Sequence, residues 1–293
     1  MRYYLENNTL FIRGSFRAAS TGISGGLRSV STLLNHATHP GLTEEDGKRE
    51  LEFAAARAGM RTDFLGILTP GALQQPCVLQ YDFITVFITA GSSTEPQVAS
   101  GPVNIIITSG EGLSDAALLG LIMVSSEAKA DVLKDEGLFV SGTPADAVIV
   151  ACEGEEKHHS AGRATDAGIR VRDAILFGLR KALRREHGIV RWNHPLFFIF
   201  SRFKGDHWVE WSPENCPYYP CHFAGQRCDF CYCPLYPCGD ESLGQWVEST
   251  NGGEVWNCSR CTLLHEPDIA DYLKKYPDAQ KDELMRLRAS KKR

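Results

Sequence analysis

Cys216-Pro-Tyr-Tyr-Pro-Cys221-His222-Phe223-Ala-Gly225-Gln226-Arg-Cys228-Asp-Phe230-Cys231-Tyr-Cys233-Pro-Leu-Tyr-Pro-Cys238 is the stretch that divides this chain. With Cys258-x2-Cys261 it holds eight of the ten cysteines, and His265 follows four residues later. Paired ligands two residues apart supply two corners of a tetrahedron from one tight turn, which is the spacing of a structural zinc site. Cys228-x2-Cys231 and Cys258-x2-Cys261 have that spacing and suit one four-thiolate site. Cys216, Cys221, Cys233 and Cys238 then form a second set, and His222 or His265 is able to replace one cysteine. Zinc is the first reading of the metal, an iron–sulfur cluster the second, and disulfides the remaining one. Structural sites are closed, so catalysis is not expected there. The aromatics Tyr218, Tyr219, Phe223, Phe230, Tyr232, Tyr236, Trp246 and Trp256 are expected to supply the core that so small a segment lacks.

Outward from that stretch lie about 190 residues holding only Cys77 and Cys152, both read as small buried residues. At 293 residues the chain has room for one large domain and one small one. A net charge of -5 argues against a nucleic-acid partner. No run approaches the length of a membrane-spanning helix, and no secretory leader is evident, so a cytoplasmic location is expected. Clustered cysteines in that compartment are more often metal ligands than disulfides.

Residues 2–13 read as a hairpin turning at Asn7-Asn8. Helices are predicted over 44–59 with Gly59 at the C-cap, over 115–133 after Ser114, and from Thr165 or Asp166 to about 186. Strands are predicted over 64–69, 83–89, 103–108 and 147–151. Strands alternating with helices give an α/β or α+β domain over 1–190. Residues 191–207 join it to a cysteine-rich, metal-stabilised domain over 208–266. Residues 267–293 read as a charged helical tail, in which 281–293, with six Lys or Arg against two acids, reads as a solvated face.

Generic catalytic motifs fail. The run Gly22-Ile-Ser-Gly25-Gly26 lacks the Lys-Ser/Thr of a phosphate loop, and Ser24 is not in G-x-S-x-G. Ser126-Glu-Ala-Lys129 fits S-x-x-K but reads as a surface coincidence on an amphipathic helix. His158-His159 reads as a solvated loop.

An ordered set of small-residue motifs is more specific. It runs Ser24-Gly25-Gly26, Asn35-His36, Thr89-Ala90-Gly91, Val103-Asn104-Ile105-Ile106, Glu127-Ala128-Lys129, Gly142-Thr143 with Asp146-Ala147-Val148, and Ala161-Gly162 with Thr165. In this order, over about 10–187, it resembles the adenosylcobinamide amidohydrolase family. The cysteine stretch resembles a small domain appended to enzymes of cobalamin metabolism. The resemblance implies hydrolysis of the amide joining aminopropanol to the corrin side chain, giving adenosylcobyric acid for salvage of cobinamide. Two positions depart from the family pattern: Ala145 stands where a Thr hydroxyl is expected, and Ser100-Gly101-Pro102 precedes Val103. The first keeps open a non-hydrolytic corrinoid-binding or metal-sensing protein.

Amide hydrolysis needs an activated water or nucleophile, donors for the oxyanion and a proton for the departing amine. His36 is the expected acid or base, and Asn35 the expected oxyanion donor. Asp146 and Glu153 bracket one strand; seven residues apart, they serve one site only if one lies at a loop end. Thr89, Ser24 and Thr143 are candidate hydrogen-bonding groups, and Asn104 a candidate for binding a corrin amide. Gly25, Gly26 and Gly91 are placed for close approach of a ligand to backbone N–H groups.

Overall fold

A computed structural model describes residues 1–60, 63–71, 73, 75–91, 101–138, 141–187, 197–202, 208–211, 219–230, 233–235, 238–248, 254–276 and 279–291. The chain divides near residue 210 into two units. In the first, β1 (Arg2–Glu6), β2 (Thr9–Ser20) and β3 (Gly26–Thr38) lead to α1 (Glu44–Arg57) and β4 (Phe64–Pro70). There follow β5 (Cys77–Tyr81), β6 (Ile84–Ala90), β7 (Val103–Ser109), β8 (Gly112–Leu113) and α2 (Asp115–Asp135). Then come β9 (Ala147–Cys152), β10 (Glu156–His158), α3 (Asp166–His187), β11 (Phe198–Arg202) and β12 (Val209–Trp211).

One mixed sheet runs β12-β11-β5-β6-β7-β9-β2-β3-β4, with β1 on β2. The pairs β3–β4, β7–β9 and β11–β5 are parallel, and a helix lies in the connection within each pair. The expected mixed α/β class is therefore the one observed. Residues 198–202, within the expected joining segment, are a strand of this sheet.

The hairpin turns where the sequence places it, because Asn7 (φ 47°) and Asn8 (φ 56°) both take the left-handed conformation that a two-residue turn needs. Thr43 caps α1 and Ser114 caps α2, each accepting a backbone N–H three residues on. Thr165 caps α3 by accepting from the Gly168 N–H. The first helix ends at Arg57, two residues short of expectation, and Gly59 (φ 70°) closes it.

Apolar residues of α2 and α3, among them Leu118, Leu121, Val171 and Ile175, pack on Val86, Ile88, Ile105, Ile107, Val148 and Val150 of the sheet. Leu51 and Ala55 of α1 pack on Leu34 and Phe11. The sheet is not flat. Asn104 on β7 donates to the Leu68 carbonyl and to Thr69 Oγ1 on β4, both at 2.9 Å. In a flat sheet those strands, four places apart, are separated by about 19 Å. The sheet curls so that β4 meets β7, and the polar side chains described next lie inside the curl.

The second unit has a hairpin of β13 (Gln245–Glu248) and β14 (Glu254–Asn257), a single 3-10 turn at Leu263–His265, and helices α4 (Pro267–Lys275) and α5 (Lys281–Lys291). Its core is mainly aliphatic: Leu243, Leu263, Leu264, Ile269, Leu273 and Leu284 surround Phe230. Residues 267–291, read from sequence as a charged tail, supply five of its buried side chains, Ile269, Ala270, Leu273, Ala279 and Leu284. The aromatics supply less than expected. Phe230 and Trp256 are buried, but Trp246 and Tyr219 are exposed. Tyr218, Tyr232 and Tyr236 lie outside the described residues.

Candidate functional site

Four polar side chains are sealed inside the curl: Asn35, Thr69, Thr89 and Asn104, none more than 3% exposed. Asn35 Nδ2 donates to Thr89 Oγ1 at 2.7 Å, and Thr69 Oγ1 donates to Asn35 Oδ1 at 2.6 Å. Asn104 joins them through Thr69 and accepts the Ala147 N–H at 2.8 Å. A buried polar group needs a partner, and here each finds it in another. The network fastens β3, β4, β6, β7 and the start of β9 at one level. Asn35, Thr89 and Asn104 were expected to touch substrate. The structure brings them together but uses their polar atoms internally.

Directly beyond Ala147 a cavity of about 340 Å³ opens at the C-terminal ends of the parallel strands β3 and β4. Thr21, Thr38, His39, Pro70, Ala145 and Asp146 are among its lining. Ligands of α/β sheets gather at such strand ends. Gly22 also lines it and has to be glycine, since a Cβ there would stand 2.5 Å from the Gly66 carbonyl oxygen.

Asp146 lies at this wall, and its four lone-pair positions are filled. Oδ1 accepts from Val103 N (2.9 Å) and Thr143 Oγ1 (2.8 Å), and Oδ2 from Thr143 N (3.1 Å) and Lys129 Nζ (2.5 Å). Each side chain of the Lys129–Asp146 pair is 10% exposed. Gly142 covers it closely: a Cβ there would lie 2.5 Å from the carboxylate and 2.7 Å from the ammonium. Lys129 was read as lying on the surface because its helix looked amphipathic. It is buried, and the Asp146 carboxylate is the reason a lysine tolerates that position. The neighbouring Ser126 is indeed peripheral and bonds the Ile122 carbonyl of its own helix. Thr143 serves Asp146 rather than the cavity.

The other expected site residues lie elsewhere. Glu153 follows β9 at its far end, about 20 Å from Asp146 at strand rise. There it accepts from Ser15 N (3.1 Å) and pairs with the Met1 amine (3.2 Å). His36 alternates with Asn35 along β3 and so faces away from the polar network. It bonds Thr9 Oγ1 at 2.7 Å and approaches Glu50 of α1 at 3.8 Å. Burial pushes its pKa below the ordinary imidazole value, and Glu50 offsets part of that. Ser24 (φ 53°), Gly25 and Gly26 form a tight turn closed by Gly25 N to the Gly22 carbonyl at 2.9 Å. Gly91 packs on Pro102 and donates to its carbonyl. His158 is not solvated: it stacks on Phe83 at 5.1 Å and bonds Glu111 at 2.7 Å. His39, which no motif in the sequence singles out, is the imidazole that lines the cavity. A His-Pro-Gly run carries a turn signal and no other.

In the second unit Cys221, Cys233, Cys238, Cys258 and Cys261, with His222 and His265, line a cavity of about 220 Å³. No disulfide joins the described cysteines to one another. Burial pushes the Cys233 thiol up to about 12, and Cys258, Cys261 and Cys238 nearby act in the same direction. The rings of His222 and His265 stand 4.6 Å apart, and His265 Nδ1 is engaged by the Arg227 carbonyl. Among the described residues no three Cys, His, Asp or Glu side chains converge closely enough to grip an ion. Cys216 and Cys231 lie outside the described residues. The donor set itself, soft thiols with imidazoles in a partly apolar cavity, suits zinc.

Two family models match the chain. That of adenosylcobinamide amidohydrolase matches residues 4–191, and that of a cysteine-rich small domain matches 207–288. The chain is 33% identical to an adenosylcobinamide amidohydrolase of Methanosarcina mazei over 62% of its own length and 98% of the relative's. It is 32% identical to one of Halobacterium salinarum over 57% of its length and 80% of that protein's. Its second unit is 46% identical, over 63 residues, to part of a protein of Methanothermobacter thermautotrophicus named a probable cobalt-factor III C(17)-methyltransferase. That match spans 21% of the chain and 17% of the relative. No helix among the described residues is long and apolar enough to cross a membrane.

Proposed function

The chain belongs to the adenosylcobinamide amidohydrolase family, and from that premise we propose that it hydrolyses the amide joining aminopropanol to the corrin side chain of adenosylcobinamide. The products are adenosylcobyric acid and aminopropanol, and the role is salvage of cobinamide. The observation that carries this reading is the cavity at the ends of β3 and β4, inside the matched residues. At about 340 Å³ it suits a ligand at the small end of the usual range. A corrin macrocycle is far larger. The cavity therefore takes the amide arm, and the ring stays at the mouth, where Ile23, Leu42 and Pro144 offer apolar contact.

Within the cavity the chemistry is assigned by elimination. His39 and Asp146 are the titratable side chains in the described lining. Asp146 has no lone pair left for a substrate proton, so it fixes the wall. His39 is left to accept a proton from water and return one to the departing amine, the exchange that imidazole performs near neutral pH. The hydroxyl of Thr38 is placed to hold the amide arm, whereas that of Thr21 is engaged by the Val148 backbone.

In the second unit we read the cysteines as ligands of structural zinc. Cys221, Cys228, Cys233, Cys238, Cys258 and Cys261 would hold it among the described residues, as thiolates. Zinc there would supply folding energy and no catalytic step. Clustered cysteines at metal-ligand spacing also favour a reducing, cytoplasmic setting.

Incubation of the purified chain with adenosylcobinamide is expected to release cobyric acid and aminopropanol. Binding without turnover would replace hydrolysis by corrinoid binding. His39→Ala is expected to lower kcat by about 100-fold or more. A change within about threefold, roughly 0.65 kcal/mol of barrier, would remove His39 from proton transfer.

A further inference from the structure

Gln226 is 5% exposed, and its carboxamide is engaged at both ends. Oε1 accepts the backbone N–H groups of His222 (2.9 Å) and Phe223 (3.3 Å). Nε2 donates to Cys221 Sγ at 3.2 Å and to Cys228 Sγ at 3.4 Å. A carboxamide nitrogen has two N–H donors, and both here go to sulfur. A neutral thiol is a weak acceptor, whereas a thiolate forms charge-assisted hydrogen bonds. Cys221 Sγ also stands 3.7 Å from Oε1, so this sulfur meets both ends of the carboxamide. Sulfurs within these distances of one nitrogen are less than about 7 Å apart, so one buried amide gathers two potential metal ligands.

We propose that Cys221 and Cys228 are ligands of one and the same soft divalent metal ion of the zinc class, and that Gln226 is the residue that positions them. On binding, each thiol gives up its proton, and Gln226 takes up part of the resulting charge through its two N–H groups. Outer hydrogen bonds of this kind commonly set metal affinity. The spacing alone places the two cysteines differently, with Cys228 beside Cys258 and Cys261 and Cys221 beside Cys233 and Cys238. Gln226 ties Cys221 to Cys228 instead. The inference rests on the reading that the module holds metal, and the two can fail separately.

The test loads the full chain with Co²⁺, measures bound metal per chain, and follows the thiolate-to-cobalt charge-transfer band. Cys221→Ser and Cys228→Ser are each expected to lose one equivalent, and the double variant to lose the same single equivalent. Loss of two equivalents by the double variant would overturn the shared site while leaving metal binding intact. A wild-type chain that binds no cobalt would overturn both readings. Gln226→Glu keeps the acceptor for His222 and Phe223 but removes the N–H donors. It is expected to weaken the affected equivalent by about 10- to 100-fold and to shift its charge-transfer band. An unchanged affinity and band in that variant would remove Gln226 from the positioning role.

Discussion

Asn104 in the first unit and Gln226 in the second are both buried carboxamides with donors and acceptor engaged, yet their partners differ in kind. Asn104 bonds a hydroxyl, a carbonyl and a backbone N–H, all of them neutral groups satisfied by one another. Gln226 bonds two backbone N–H groups and two sulfurs. The first arrangement is closed by protein atoms alone and sits under a broad apolar core of sheet and two helices. The second rests on a few aliphatic side chains and on the sulfurs of Cys221 and Cys228. A network of oxygen and nitrogen completes itself. A network of sulfur needs an ion to become strong.

That difference is broken most directly by a chelator. Metal removal is expected to unfold the second unit and leave the first intact. The free energy of a structural zinc site, about 10–16 kcal/mol, exceeds what so small a core supplies. Two transitions by calorimetry, of which the chelator abolishes one, check this; a single unchanged transition would break the comparison. The pH dependence should also reverse with metal. In the metal-free chain the Cys233 thiol is raised from 9.0 to about 12, so the folded state keeps its proton longer than the unfolded one. Stability from that group is full below about 9 and is lost as pH rises toward 12. With metal bound the ligand is the thiolate, and stability rises with pH as the thiols lose their protons.

The next effect belongs to the first unit. Lys129→Met leaves the Asp146 carboxylate buried beside an apolar chain, and a cost of about 3–5 kcal/mol is expected. The double change Lys129→Met with Asp146→Asn, which removes the charge but keeps an acceptor for Val103 and Thr143, should cost less than the single one, which a chemical-denaturation cycle will show. Asn104→Leu orphans the Ala147 N–H and takes one donor from Thr69, which keeps its bond to Asn35, for an expected loss of about 1–3 kcal/mol. Since Ala147 lies at the cavity, turnover should fall together with stability.

The long apolar strands were legible because Phe87, Ile105 to Ile107 and Val148 to Val150 favour pleated, half-buried backbone. The later part of β2 was not. Ala18, Ala19 and Ser20 are poor strand formers and are held there by β3 and β9 on either side. The strand β3 was missed because its exposed half, Leu27 to Ser31, carries no consistent alternation. The cysteines were legible as a module, whereas the hydrogen bonds of Gln226 to Cys221 and Cys228 were not, because spacing carries no information about a buried amide. Asp146 was legible through its motif. That it is saturated depends on Val103, Thr143 and Lys129, which come from three separate segments. His39 carried no signal because its position depends on where β3 ends and on how the sheet curls.

The smallest expected effect sharpens the comparison between the two ends of β9. Asp146 and Glu153 are both carboxylates flanking this strand, and both were candidates for the site, Asp146 with the better claim because it sits in a family motif. At one end the carboxylate is walled in beside a cavity; at the other Glu153 is 29% exposed and bonds Ser15 and the Met1 amine. An ion pair so open to solvent contributes at most about 1 kcal/mol. Glu153→Gln should therefore keep kcat and KM within about twofold of the parent. It preserves one acceptor for the Ser15 N–H, so the change isolates the charge. If turnover instead falls by tenfold or more while stability holds, the site extends along the whole strand. The curl of the sheet would then have failed to confine chemistry to the end where Asn104 and Asp146 lie.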